Sequence, residues 1–594
     1  MGHFANDELN PRRPHRRNPA MPKPKAASSE PVRFALSFPQ PATHLVHVTM
    51  TLPRAAAGRD LRMAVWTPGS YLIREYARHV IDLEADDERG RAVPVVKVAK
   101  DRWRLDRPAR TVRYRLYANE LTVRTNHLDD THAFLVGAAT FLFPDGGEAL
   151  RYHVRLQAPR GWRVATALEP AAGGWAAPDL DTLFDSPIEV GRLRELRFRT
   201  RAREHRVAVH GADGLEIGDL RAPLTAIVET AARLFGGLPY RRYLFLLHLT
   251  AQGRGGLEHR SACVVQWPRV RFAAKDRDDL LELLAHEFFH VWNVKRFRPA
   301  GLVPFDYAAE NYTPSLWVSE GMTEYYGNLL PRRAGLIDAD RYLERLANDI
   351  QEFESIPGRR VQSLRDSSFD TWIKFYRPHE GSVNATVSYY LKGHMTALAL
   401  DLEIRRRTRG RRSLDDAMRT LDREFGDGTR GFTEADVRRA LEEAAGGRLT
   451  RLFREVVDGT ADPDLDGALR AAGVRIVRET KEAEGGWLGV RTRGDHDPVT
   501  AVSVLAGSPA EEAGICAGDE LVALDGFRIV GENLRRRLAE LKPGRRARVT
   551  IFREDTLREH KVRLGAPPPD SYRLVRVPRP TPSQRRVYRS WIGG

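Results

Sequence analysis

His286-Glu287-Phe288-Phe289-His290 lies inside a longer stretch, 276–294, whose reading decides the fold. Leu281, Leu284, Phe288 and Val291 share one apolar face at helical spacing, and the first turn is acidic. A helix from Asp276 to Val294 is expected. On a helix, positions i and i+4 stand one above the other, so His286 and His290 present both imidazoles to one point and can grip a single metal ion. Glu287, one position on, can reach a water beside that metal as general base. Composition alone yields this pattern in roughly four per cent of chains of this size, so the motif needs support from a second feature.

That support is the run Trp317-Val318-Ser319-Glu320-Gly321-Met322-Thr323-Glu324-Tyr325-Tyr326. Thr313 as N-cap and Pro314 as first helical residue predict a second helix through it. Glu320 then supplies a third ligand, and a His, His, Glu set leaves the fourth position open for water and substrate, as catalytic zinc requires. Glu324, one turn on, can accept a hydrogen bond from a ligand imidazole and fix its tautomer. The two cysteines, Cys263 and Cys516, stand far apart, which argues against a disulfide framework and a cysteine-rich metal site. One zinc ion per chain is the expected cofactor.

The rest of the chain is organised around these helices. A length of 594 residues implies several cores. Residues 1–31 are basic and proline-containing, without an apolar h-region. They read as a disordered tail and not as a secretory signal, which points to a cytoplasmic location, with Met21 as an alternative start. Alternating stretches at 44–52 and 112–117 predict an all-β domain over 32–204. The metallopeptidase segment is expected at 205–335. A helical domain completing the active site follows at 336–480, with capping boxes Ser413/Asp416 and Thr433/Asp436. A separate module of short strands spans 486–566, and 567–594 is expected to be a tail. The fold class is multidomain α+β. No apolar run is long enough to span a bilayer. The formal charge of +16 comes from arginines spread along the chain with no recognised nucleic-acid motif, which argues against nucleic-acid binding.

HEFFHVWNVKRFRP, PFDYAAENYT and WVSEGMTEYY resemble the gluzincin metallopeptidases and, within them, the bacterial glycyl aminopeptidase family, which couples a thermolysin-like catalytic domain to a C-terminal PDZ domain. The step of 30 residues from His290 to Glu320 is similar to that family's long spacer. Trp66 to Val80 and the final QRRVYRSWIGG share the likeness, which covers nearly all of the chain from about residue 32. The resemblance implies a zinc aminopeptidase that prefers N-terminal Gly or Ala.

It also implies roles for two further motifs. Gly255-Gly256-Leu257-Glu258-His259 resembles a G-x-M-E-N segment, with Leu257 and His259 departing from it, and its glutamate would bind the substrate's free α-ammonium. A fixed carboxylate near the metal selects a charged N-terminus, and the backbone of Gly255 and Gly256 can pair with an extended peptide. Tyr390-Leu391-Lys392-Gly393 matches a Y-x-K-G segment whose tyrosine stabilises the oxyanion, with Tyr389 as the alternative one position away. The last module resembles a PDZ domain: Leu488-Gly489-Val490 would be its carboxylate loop, a helix would run from Glu532 to Leu541, and peptide C-termini would add as an extra strand. The expected partners are therefore peptides with a free N-terminus, and C-termini at the PDZ module. Two rival readings are an endopeptidase with PDZ-assisted substrate capture and a non-catalytic PDZ adaptor, the second opposed by the intact ligand set.

Overall fold

A computed structural model describes residues 30–593, apart from 273–276, 482, 494–497 and 532. The N-terminal segment through residue 29 with Met21, the helix start expected at Asp276 and the one expected at Glu532 lie outside the described residues.

Period-two alternation turns 32–191 into β structure. In Val32–Ser37, Val32, Phe34 and Leu36 are buried while Arg33 and Ala35 face out. Among the described residues this strand sits inside an eight-stranded sheet, and two four-stranded sheets complete the N-terminal β structure. In one of the smaller sheets β1 (His127–Leu128), β2 (His132–Leu135) and β3 (Ile188–Gly191) lie side by side.

The next five strands form the catalytic sheet: β4 (Arg194–Thr200), β5 (Arg203–His210), β6 (Arg242–Thr250), β7 (Gly255–Glu258) and β8 (Ala262–Pro268), in the order β4-β5-β6-β8-β7. β5, β6 and β8 run parallel, and β7 lies antiparallel to β8 at the edge. The central strands β6 and β8 are buried on both faces and read as nearly continuous apolar runs. Ala208, Leu244, Leu246 and Val264 pack into the N-terminal core, and their neighbours Val207, Val209, Phe245, Leu247 and Val265 into the helical core. The boundary expected at 204/205 is therefore too late. The hairpin β4–β5 belongs to the catalytic sheet, a membership that period-two patterning cannot report because both sheets show it.

α1 (Arg277–Phe289) lies under this sheet. It stops before the expected Val294, in a turn where Val294 has φ 96° and the Lys295 amide donates to the His290 carbonyl at 3.1 Å. The second helix starts later than Thr313 and Pro314 suggest. The Thr313 hydroxyl only accepts from the Ser315 amide at 3.2 Å, helical bonding begins at Leu316, and Trp317–Gly321 is π-helical before α2 (Met322–Arg333). α3 (Ala339–Glu354) and α4 (Tyr389–Thr408) complete the cradle. α4 crosses the π segment at Gly321 and Gly393, where a Cβ on Gly321 would stand 2.5 Å from the Gly393 Cα. Both expected capping boxes form, at Ser413 and Thr433. None of the described helices is long and apolar enough to cross a membrane.

The chain then makes β9 (Val474–Glu479), passes through the 486–566 module, which contains β10 (Val490–Arg493) and α5 (Asn533–Ala539), and returns as β11 (Ser571–Arg576) and α6 (Pro582–Ile592). β9 and β11 pair antiparallel, Val474 opposite Arg576, so the module is inserted into the helical body. This corrects the tail expected at 567–594. Val587, Trp591 and Ile592 are buried, the Trp591 indole donates to the Tyr325 hydroxyl at 3.1 Å, and the outward Arg585, Arg586 and Arg589 had made the segment look solvated. Trp591→Ala should lower the unfolding free energy by about 3–5 kcal/mol in a denaturant titration. Replacing only the inserted module by a short Gly/Ser linker should leave the melting temperature of the remaining body nearly unchanged.

Candidate active site

α1, the π segment and β7 bring the expected chemistry together. His286 sits in the last turn of α1, and His290 lies one residue beyond its end, still tied back by its amide to the His286 carbonyl at 3.4 Å. The two Nε2 atoms face each other at 3.2 Å. Glu320 Oε2 stands 3.2 Å from His290 Nε2 and 3.8 Å from His286 Nε2. His290 Nδ1 donates to the Asn293 carbonyl at 2.9 Å, and His286 Nδ1 lies 2.8 Å from Glu324 Oε2, the position expected for a residue that orients the ring. With the His290 Nδ1 bound to a carbonyl and the His286 Nδ1 facing the Glu324 carboxylate, three lone-pair atoms converge, and Glu320 Oε1 is buried with no hydrogen-bond partner. Separations of this size are the edges of a tetrahedron with bonds of about 2.0–2.2 Å, so the donor set fits zinc.

The π segment explains why Glu320 faces the histidines. Asn293 Nδ2 donates to the carbonyls of Val318 and Ser319 and to the Thr323 hydroxyl at 2.8, 3.1 and 3.0 Å, clamping the turn after α1 to the widened helix. Extra carbonyls left by π winding are satisfied by this side chain. Asn293 lies in the motif HEFFHVWN, but its role depends on a partner 25 residues away and escaped the sequence reading.

Glu287 is buried beside β7. Burial pushes its carboxyl up to about 7, with Glu258 and Glu320 adding to the rise and the imidazoles of His286 and His290 opposing it. Against the same effect of burial, those imidazoles hold Glu320 down at about 2. Room for Glu287 exists because residue 256 is glycine: a Cβ there would stand 1.9 Å from Glu287 Oε1. Gly255, next to it, is open to the cavity.

Glu258 ends the same strand, 4% exposed, its Oε1 3.9 Å from Lys295 Nζ, which is itself held by Asp185 of the N-terminal domain at 2.9 Å. Gly69, with φ +86°, presses against its carboxylate, and a Cβ there would come within 2.5 Å. The Trp66–Val80 motif thus acquires a place: Trp66 anchors it by donating its indole N–H to the Asp306 carbonyl at 2.7 Å, and Gly69 walls the Glu258 end. Arg124, also from the N-terminal domain, donates to the Gly256 carbonyl at 3.2 Å. Asp185 and Arg124 carried no sequence signal tying them to the site, while Lys295 and Gly69 lie in stretches that carry the family likeness but had no role assigned there.

Of the two tyrosines, Tyr390 lines the cavity and stacks 6.2 Å from His286, while Tyr389 is fully buried and accepts from the Thr371 hydroxyl at 3.2 Å. Burial first, then Glu320, pushes the Tyr390 phenol well above its ordinary value, so it remains a donor. All these groups except Tyr389 and the deeper anchors line one cavity of about 650 Å³.

The inserted module brings Leu488, Gly489 and Val490 to the start of β10, an edge strand. Gly489 has φ +83°, a Cβ there would strike Ser508 at 2.2 Å, and its carbonyl accepts from the Leu505 amide at 2.9 Å.

Two histidines and a glutamate on successive helices, beneath the free edge of a mixed sheet, are the arrangement of a gluzincin zinc metallopeptidase. Family models match the M61 peptidase N-terminal domain at 33–192, the M61 glycyl aminopeptidase at 279–396 and a PDZ domain at 486–564. No curated protein matches the chain. Among solved structures, an aminopeptidase N family protein from Idiomarina loihiensis is similar with a TM-score of 0.88 and 28% identity over 94% of this chain and 99% of that one. An M1 zinc metallopeptidase from Deinococcus radiodurans gives 0.47 and 15% over 73% and 94%. The chain carries M61 peptidase N-terminal and M61 glycyl aminopeptidase domains together with a PDZ domain, and is a metallo-aminopeptidase.

Two substitutions probe this geometry. Glu287→Gln should keep the metal and lose about two to four orders of magnitude in kcat. Gly256→Ala should displace the Glu287 carboxylate and lower kcat by about a hundredfold or more with metal content unchanged, as read by steady-state kinetics and metal analysis.

Proposed function

We propose that this chain hydrolyses the first peptide bond of peptides with a free N-terminus, with one zinc held at its active site by His286, His290 and Glu320. The observation that carries the reading is the blind end at Glu258, a buried carboxylate at the end of an edge strand, walled by Gly69. When bound, zinc supplies Lewis acidity toward the scissile carbonyl.

The chain's own residues do the rest. The β7 edge aligns the peptide backbone, with Gly255 and Gly256 lacking side chains that would keep it away. Glu258 pairs with the α-ammonium and fixes the register at one residue before the scissile bond. Glu287, buried beside β7, takes a proton from the attacking water and can return it to the leaving amine. Tyr390 donates its hydroxyl to the developing oxyanion. Glu324 keeps His286 oriented.

A preference for Gly or Ala in the first position is supported by the description of the matching family and by crowding around Glu258, where Gly69, Tyr376 and Arg124 line the wall. The PDZ module is proposed to take peptide C-termini against β10, at the loop Leu488, Gly489 and Val490. An extended chain blocked at its N-terminus has no place at the Glu258 end, which favours the aminopeptidase over the endopeptidase.

Glu320→Ala should abolish turnover and release the active-site zinc, because tight binding at an open site needs three protein ligands. Retention of that zinc would reject the ligand assignment. Glu258→Ala should lower kcat/KM on a free glycyl substrate by at least roughly thirtyfold, the loss expected when one partner of a buried charge pair is removed. On the N-acetylated analogue the wild type should be nearly inactive, so the mutant loses discrimination between the two. Equal cleavage of blocked and free substrates by both proteins would overturn the exopeptidase reading.

A further inference from the structure

Four histidines and two carboxylates meet where the N-terminal domain sits on the catalytic sheet, and none of them lines the active-site cavity. Three come from the single hairpin β1–β2. Asp129 Oδ1 accepts from the Thr131 amide at 2.8 Å, the Thr131 hydroxyl at 2.6 Å and the His132 amide at 3.0 Å. Its carboxylate is thereby fixed with Oδ2 turned to His127 Nε2, 3.1 Å away. His132 Nδ1 donates to Glu189 Oε1 on β3 at 2.8 Å, and the other oxygen of Glu189 accepts from His248 Nε2 on β6 at 2.9 Å. His132, Glu189 and His248 are each 1% exposed, whereas the side chains of His127 and Asp129 keep 12% and 32% of their surface.

The pairing leaves imidazole nitrogens over. His127 Nδ1, His210 Nδ1 and His248 Nδ1 are buried without a hydrogen-bond partner, and His210 stacks on His132 at 3.4 Å between centroids. A buried polar nitrogen without a partner is rare in a native protein and calls for an explanation. On the hairpin itself, one ligand atom from each of His127, Asp129 and His132 can be chosen within 4.8 Å of the others. Neighbouring ligands around tetrahedral zinc stand about 3.3–3.5 Å apart, so the His127 Nε2–Asp129 Oδ2 edge, at 3.1 Å, is already near coordination spacing.

We propose that His127, Asp129 and His132 form a second metal site, taking a divalent transition metal, zinc, with solvent at the remaining position. Two imidazoles and one carboxylate select zinc over magnesium or calcium, which prefer all-oxygen sets. Glu189 is the carboxylate behind a ligating histidine that fixes its tautomer, the same device as Glu324 behind His286. Because Glu189 also holds His248, the ion ties the hairpin through β3 to the catalytic sheet, which makes the site structural. The chain then holds a second zinc beyond the single ion expected from the HExxH spacing. This inference does not depend on the proposed substrate.

The test counts zinc in the full-length protein, loaded with zinc chloride, passed through gel filtration and measured by inductively coupled plasma mass spectrometry. The expected content is about two ions per chain for the wild type, about one for Glu320→Ala, about one for His127→Gln and none for the double variant. His127 is chosen because its partly exposed side chain can be replaced with less risk to folding than the buried His132. Zinc should also raise the melting temperature of Glu320→Ala by several degrees, and that shift should disappear when His127→Gln is added. A wild type with a single ion that Glu320→Ala removes, or a His127→Gln protein with undiminished zinc, would overturn the second site.

Discussion

Two imidazole nitrogens and a carboxylate oxygen face one another at 3.2–3.8 Å, largely buried in the wall of the active-site cavity, with the carboxylates of Glu287 and Glu258 close by. Such a group repels itself: lone pairs converge, and burial adds its own penalty for each charge. A divalent cation at the focus removes both difficulties, and much of the surrounding structure can be understood as what holds the donors there. α1 ends at Phe289 so that His290 can turn its Nδ1 to the Asn293 carbonyl. Asn293 in turn reaches across to the π segment that carries Glu320. The close crossing at Gly321 and Gly393 lets α4 approach near enough to put Tyr390 over His286.

The catalytic sheet forms the opposite wall, and its pleat sorts alternate residues into two cores. Leu244 and Leu246 lock the N-terminal domain onto one face while Phe245 and Leu247 lock the helices onto the other. The consequence is functional. With the N-terminal domain fixed in place, Gly69 and Arg124 are brought to the end of β7, so a domain with no metal ligand at the active site closes the cleft at the Glu258 end. The same seam gathers His127, His132, Glu189 and His248, which suggests that registering this domain on the sheet is demanding enough to use a polar cluster as well as apolar burial.

The PDZ module stands in a different relation to the rest. It enters and leaves through the paired strands β9 and β11, and among the described residues its further ties to the body include polar ones. Asn384 holds the Val504 carbonyl at 2.7 Å and the Ala506 amide at 2.9 Å, and Arg535 pairs with Asp570 at 2.8 Å. Its own core is separate, built on Leu488, Val499, Ile515, Ile551 and Leu564. The helix that follows it, by contrast, is fastened deep in the body by Trp591.

What the sequence determined by itself is the chemistry written at short range. The i, i+4 histidines, the glutamate after the first of them, the capping boxes and the alternation of the strands depend on backbone geometry within a few residues, and these are legible without any fold. Glu320, Glu258 and Tyr390 were singled out through their motifs because each sits in a short, distinctive neighbourhood, and all three line one cavity. Tertiary structure alone decided which surfaces meet: that Gly256 must lack a side chain because Glu287 occupies the space, that Asn293 serves a helix far along the chain, that Gly69 backs Glu258, and that residues 567–594 return to the core. The physical reason is that sequence periodicity records how much of a residue is buried, and not what it is buried against. Contacts of long sequence separation are chosen by packing between whole elements, so the partner's identity appears only when those elements are assembled.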